Sequence, residues 1–206
     1  MDGVVLDSEP VHLHSKEKIL KNLGLSGCID LSNFVGVANE ELWGQVKAEH
    51  QIKHTVEEIV QMQDDLNFQE VVDDKLPLSV GVRELLEKIK GKGYTIAMAS
   101  SSSRYFVHKI LEHFEIRDYF SLIITGDDVK HKKPDPEIYC KVLEQTGILA
   151  EDAIVIEDSK MGTLAASAAG IACIGYQNPT SGCQDLSQTT CVVDDLGDVF
   201  HVLENE

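Results

Sequence analysis

The chain has 206 residues, 43% apolar and 26% charged, the profile of a soluble globular protein with one large domain or two small ones. Its formal charge of −17 excludes nucleic acid, whose phosphate backbone needs a basic surface, but allows a small anion in a locally positive pocket. No apolar run reaches the roughly 18 residues of a membrane span, and no basic segment followed by an apolar core opens the chain, so no membrane partner is expected.

The first ten residues, MDGVVLDSEP, read as the end of a strand and the loop after it, with most of the strand itself missing. From about 9 to 78 the texture is helical. Residues 9–23 carry Val11, Ile19, Leu20 and Leu23 near a helical period and stop at Gly24, and 40–50 and 55–66 read as further helices. From about 80 onward strands alternate with helices. The expected helices are 82–90, 104–113, 136–146, 160–169 and 196–203, and the expected strands are 94–99, 120–125, 153–156, 171–175 and 191–193. Asp135 is the expected N-cap of the helix that Pro136 begins. Residues 177–190, rich in Ser, Thr, Gln and Gly, read as a surface loop. Alternating apolar strands and helices imply an α/β core, a parallel sheet covered on both faces. Cys28, Cys140, Cys173, Cys183 and Cys191 are odd in number and form no CxxC pair, which fits a reducing cytoplasm; Cys140 and Cys173, in apolar stretches, are expected to be buried.

In such sheets ligands bind beyond the carboxyl ends of the strands. The residues there are MDG (1–3), SSSS (100–103), KKPDP (132–136) and EDS (157–159). Each has a bland reading: a serine turn with a helix cap, a solvated lysine before a helix start, an acidic cap. Together they have a chemical one. Hydroxyls, backbone N–H groups at a helix start and a lysine make a phosphate cradle. Adjacent acids at the end of a buried strand repel each other, and a cation relieves that repulsion. Mg²⁺ suits the pair, since it takes few protein carboxylates and completes its shell with water and substrate oxygens. His12 and His14, two residues apart on a helix, point to different faces and do not suggest a metal pair.

The order MDGVVLDSEP, IAMASSSS, KKPDP, IVIEDSKMG resembles the haloacid dehalogenase superfamily, in its phosphatase and β-phosphoglucomutase-like branch. The resemblance implies a Rossmann-like three-layer core (residues 1–8 and 79–206) and an inserted α-helical cap (9–78) that closes over the substrate. It further implies Mg²⁺-dependent phosphoryl transfer through an aspartyl-phosphate. Asp2 matches the family's general acid/base, and its backbone carbonyl would also bind the metal. Gly3 completes the motif. Ser100 and the Ser101 N–H would hold the phosphoryl group, and Lys133 would balance its charge. Asp158 would bind Mg²⁺, with Glu157 supporting or joining that coordination. The loop FVGVANEE (34–41) matches the cap's specificity loop. Asn39 stands where the mutase branch has an arginine, and a cap lysine of that branch falls near Asp64. His12 matches a histidine near the hinge of the mutase branch, a pattern related phosphatases share, so it separates the two readings poorly. Asn39 favours a phosphatase of a small phosphorylated metabolite over a sugar-phosphate mutase, with a monomer as the default; a non-catalytic phosphometabolite-binding protein is the third reading.

The family's nucleophile would immediately precede Met1. One expectation is therefore that Met1 is an internal methionine of a longer chain; the others are a short form without the nucleophile and a binding protein. Each unsatisfied buried backbone group costs about 1–3 kcal/mol, against a total stability of about 5–15 kcal/mol. A sheet lacking that strand is thus expected to be unstable, and the chain as written inactive.

Overall fold

A computed structural model describes residues 1–34 and 39–205. The chain divides into two compact units, one formed by Met1–Ser8 with Pro77–Glu206 and the other by Glu9–Leu76.

The smaller unit is helical: α1 (Glu9–Asn22), α2 (Asn39–Glu49) and α3 (Val56–Asp73). Both α1 and α2 pack on α3, around Ile19, Leu20, Leu42, Trp43, Val46 and Ile59. Trp43 is fully buried, and its indole N–H donates to Gln63 Oε1 at 2.7 Å, which satisfies the one polar atom of the ring. Thr55 and Glu58 form a reciprocal capping box at the start of α3. Of the loop 34–41, residues 35–38 lie outside the described residues.

The larger unit is α/β. Strands β1 (Ala97–Ala99) and β2 (Leu122–Ile124) form one parallel pair. Strands β3 (Ile154–Glu157), β4 (Ala172–Tyr176) and β5 (Cys191–Val193) form a second parallel sheet in that order. The helices are α4 (Val82–Gly91), α5 (Arg104–His113), α6 (Glu137–Thr146), α7 (Lys160–Ala168) and α8 (Leu196–Asn205). Helix α6 packs on β1 and β2, α7 on β3 and β4, and α8 on β5 and α4. One core cluster, with Ile124, Ile138, Tyr139, Ala165, Ala166 and Cys173, runs across both sheets.

Within each sheet the parallel strands end on one side, so Ser100 and Thr125 follow β1 and β2, Asp158 follows β3, and Lys133 joins the ends of β1 and β3 through Ala99 and Glu157. Two helix starts there are capped by serines. Ser103 accepts from Phe106 N–H, and Ser159 from Gly162 N–H.

Cys140 and the start of α6 differ from the sequence reading. Cys140 lies on the exposed face of α6, whereas Cys173 is buried. The apolar neighbours Ile138 and Tyr139 fill the buried positions of that turn, and Cys140 follows them round to solvent. At the start of α6, Pro136 is the cap residue, and Asp135 Oδ1 accepts the Glu137 N–H at 2.9 Å.

Candidate active site

Residues 1–6 make a tight turn. Gly3 adopts φ +72°, which favours glycine, and its N–H donates to the Leu6 carbonyl at 2.8 Å. A side chain at Gly3 would begin 1.9 Å from Asp158 Oδ2, so only glycine lets this turn lie against that acid. The turn presents Asp2 to three hydroxyls. Ser8 Oγ donates to Asp2 Oδ1 at 2.6 Å. Ser102 Oγ and Ser100 Oγ donate to Oδ2 at 2.7 and 3.2 Å. Ser100 is fixed by its own backbone, since its N–H donates to the Ile124 carbonyl and prolongs the β1–β2 ladder. Its Oγ also accepts the Ser102 N–H at 3.2 Å. Ser101 is exposed on the same turn.

Lys133 precedes a cis peptide to Pro134. Its ammonium donates to Glu157 Oε1 at 2.5 Å and to the Ala99 carbonyl at 3.5 Å. It therefore links the end of β3 to the end of β1, one residue from Ser100. Both partners are nearly enclosed, with side chains about 10% exposed. Glu157 is held on every side: Tyr139 O–H donates to Oε1 at 3.0 Å, and Ser159 Oγ and the N–H groups of Asp158 and Ser159 donate to Oε2. Burial pushes the Glu157 carboxyl up, but the Lys133 charge and these hydrogen bonds overcome it and hold the group at about 2.

Asp158 is the opposite case. Burial, together with the adjacent Glu157 charge, pushes its carboxyl up to about 6, against a lowering hydrogen bond from Ser181. Ser181 Oγ donates to Asp158 Oδ2 at 2.6 Å.

Asp2, Gly3, Ser100, Lys133, Glu157 and Asp158 thus converge at the strand ends, with Ser101 at their border. His12 and Asn39 belong to the helical unit. The His12 Nδ1 lies 3.0 Å from the Asn67 amide nitrogen, and Asn39 opens α2. Sequence reasoning did not single out Ser8, Ser102, Tyr139 or Ser181. Ser8 and Ser102 lie inside the quoted motifs, but only the turn geometry shows which hydroxyls reach Asp2. Nothing local marks Ser181.

The donor set fits a hard divalent cation. Asp2 and Asp158 offer only oxygen. Lys133 is committed to Glu157, so Asp158 is a buried acid whose hydrogen-bond partner is neutral, and a cation would favour its ionised form.

A family profile described as Haloacid dehalogenase-like hydrolase matches residues 1–176. The chain is 34% identical over 172 residues to a phosphorylated carbohydrates phosphatase from Thermotoga maritima, covering 83% of this chain and 79% of that protein. It is 30% identical over 204 residues to a phosphoglycolate phosphatase from Pseudomonas fluorescens, covering 95% and 75%. In fold it is similar to the crystal structure of CbbY from Rhodobacter sphaeroides in complex with phosphate. The TM-score is 0.86 at 22% identity, over 97% of this chain and 93% of that one. With its strand-end motifs gathered on an α/β core, the chain belongs to the haloacid dehalogenase-like hydrolases, a family of enzymes.

Proposed function

We propose that the protein is a Mg²⁺-dependent phosphatase of a small phosphorylated metabolite. The observation that carries this reading is the convergence of Asp2, Ser100, Ser102, Lys133 and Asp158 at one sheet edge. Lys133, the Ser100 hydroxyl and the Ser101 N–H bind the transferring phosphoryl group and offset its charge, the main task in this chemistry. Asp2 and Asp158 hold the metal, and Glu157 supports it indirectly by fixing Lys133. Bound Mg²⁺ supplies charge neutralisation for the phosphoryl oxygens.

The attacking carboxylate is assigned to an Asp directly before Met1, as the family pattern implies. The first step forms its acyl–phosphate bond and breaks the substrate P–O bond, while Asp2 gives a proton to the departing oxygen. In the second, Asp2 takes a proton from water, which attacks phosphorus and frees phosphate. Two features support this assignment: Met1 is buried, and among the described residues β1 and β3 each pair with a strand on one side only. The helical unit is the proposed cap, with His12 and Asn39 as candidate substrate contacts. Asn39 in place of the mutase branch's arginine, and the phosphatase names of the Thermotoga maritima and Pseudomonas fluorescens relatives, favour hydrolysis over mutase chemistry.

Phosphate release would be measured on a panel of sugar phosphates, polyol phosphates and phosphoglycolate with Mg²⁺. The chain starting at Met1 would be compared with one extended upstream through an apolar strand and Asp. The extended chain is expected to turn over and the other to be silent. An extended chain silent on the whole panel would overturn the phosphatase reading, and turnover by the chain starting at Met1 would overturn the placement of the nucleophile.

A further inference from the structure

Residues 177–190 lack regular structure, yet their middle is held firmly. The Ser181 N–H donates to the Asn178 carbonyl at 3.3 Å. The Ser181 carbonyl accepts from Gln184 Nε2 at 2.8 Å, and Gln184 Oε1 accepts the Lys160 N–H at 3.1 Å, at the first residue of α7. Gly182, at φ +68°, turns the chain so that Gln184 can fold back. On the other side, Asn178 is 3% exposed. Its Oδ1 accepts the Thr180 N–H at 3.1 Å, and the Thr180 hydroxyl also meets Asp7 Oδ1. The backbone of Ser181 is thus pinned at both its polar groups, and its hydroxyl is delivered to Asp158 Oδ2 at 2.6 Å.

The geometry points to Ser181 as a positioning residue for the metal-binding carboxylate. This inference rests on the reading of Asp158 as a metal ligand. A carboxylate on one rotatable bond can turn its plane, and a short hydrogen bond to one oxygen fixes that plane. The choice of donor matters. Glu157 is neutralised by a lysine, whereas the side-chain partner of Asp158 is an uncharged hydroxyl, which orients the carboxyl without neutralising it. Adjacent acids are therefore divided by their partners, one tied to the Lys133 ammonium and the other oriented by a neutral hydroxyl. The loop that supplies the hydroxyl follows β4, the strand beside β3, so the sheet carries the ligand and its orienting group on neighbouring strands.

The test measures binding of Mn²⁺ alone, by electron paramagnetic resonance, to the whole chain and to S181A, S181T and D158N, with Mg²⁺ as competitor. Metal-free thermal unfolding is followed in parallel. S181A is expected to weaken Mn²⁺ binding about 10- to 100-fold without lowering the metal-free unfolding midpoint. S181T, which keeps the hydroxyl, is expected to recover most of the affinity. If D158N loses binding while S181A matches the parent, the positioning role is overturned and the metal site stands. If D158N binds as the parent does, the metal reading fails and the inference falls with it. Parallel losses of affinity and metal-free stability in both Ser181 variants would mark a structural role and overturn the inference.

Discussion

The two acids that end β3 are neighbours in sequence and opposites in chemistry. Glu157, at about 2, is ionised throughout the working range, whereas Asp158, at about 6, is not. On the proposed reading Asp158 binds metal in its ionised form, so protons would compete with Mg²⁺ below about pH 6, and affinity is expected to fall about tenfold per pH unit there. Calorimetric titration of Mg²⁺ between pH 5 and 8 checks this; a flat profile would remove Asp158 from the ligand set. Stability runs the other way. The folded-state value of Asp158 is raised above its ordinary 3.8, so its contribution is complete below that value and is lost as pH rises through about 6. Glu137 behaves differently again. It lies beside His131 and Asp135, and their ligand atoms fall within 4.8 Å of one another. Yet its carboxylate already accepts the N–H groups of Lys130 and His131, which hold it at about 2. It therefore acts as a loop clip. Its contribution is present above about pH 4.5 and lost as pH falls toward 2. E137Q should flatten the acid limb of a stability–pH curve, and an unchanged limb would show that the clip contributes nothing.

At the scale of elements, α7 is tied to the site by its first turn. A Cβ on Gly162 would fall 2.0 Å from Glu157 Cδ, and Glu157 cannot retreat without giving up Lys133, Tyr139 and Ser159. G162A is expected to cost about 1–3 kcal/mol in urea unfolding, as overpacking does, and to weaken phosphate binding by displacing Lys133. An unaffected variant would show that Glu157 is not anchored as described. Other elements show what local pattern can and cannot reveal. Helix α5 and strand β5 begin and end where the sequence places them, because a serine cap and a short apolar run are local signals. Helix α3 continues to Asp73, well past residue 66. Its second half turns Asn67 and Glu70 inward beside His12 and His14, so burial there carries no apolar period to read. Strand β1 shrinks to three residues, since only Ala97–Ala99 find partners on β2. The residues that meet at the strand ends were legible because each sits inside a strand-end motif. Ser181 was not, because its partner Asp158 lies 23 residues away and the contact exists only once β3 and β4 pair and the loop folds back.

For the whole molecule, the excess of 35 acids over 18 lysines and arginines sets a general electrostatic strain that the site must be distinguished from. Like charges on a compact body repel, and salt screens them: the Debye length shrinks from about 30 Å at 0.01 M to about 10 Å at 0.1 M. NaCl over that range should therefore raise the thermal unfolding midpoint. A fall would mean that exposed pairs such as Lys92–Glu204 and Arg104–Asp128 outweigh the diffuse repulsion. Mg²⁺ would stabilise by screening alone even without a site, so the informative comparison is MgCl₂ against NaCl at equal ionic strength. Site occupancy adds a term that grows with the logarithm of free metal, about 2.7 kcal/mol at a hundred times Kd. Screening at fixed ionic strength adds none. The excess stabilisation by Mg²⁺ should vanish in D158N while the NaCl response remains, since one charge in seventeen changes the field little and the site entirely. Equal midpoints in the two salts for the parent protein would leave the acids at the sheet edge without a cation to bind.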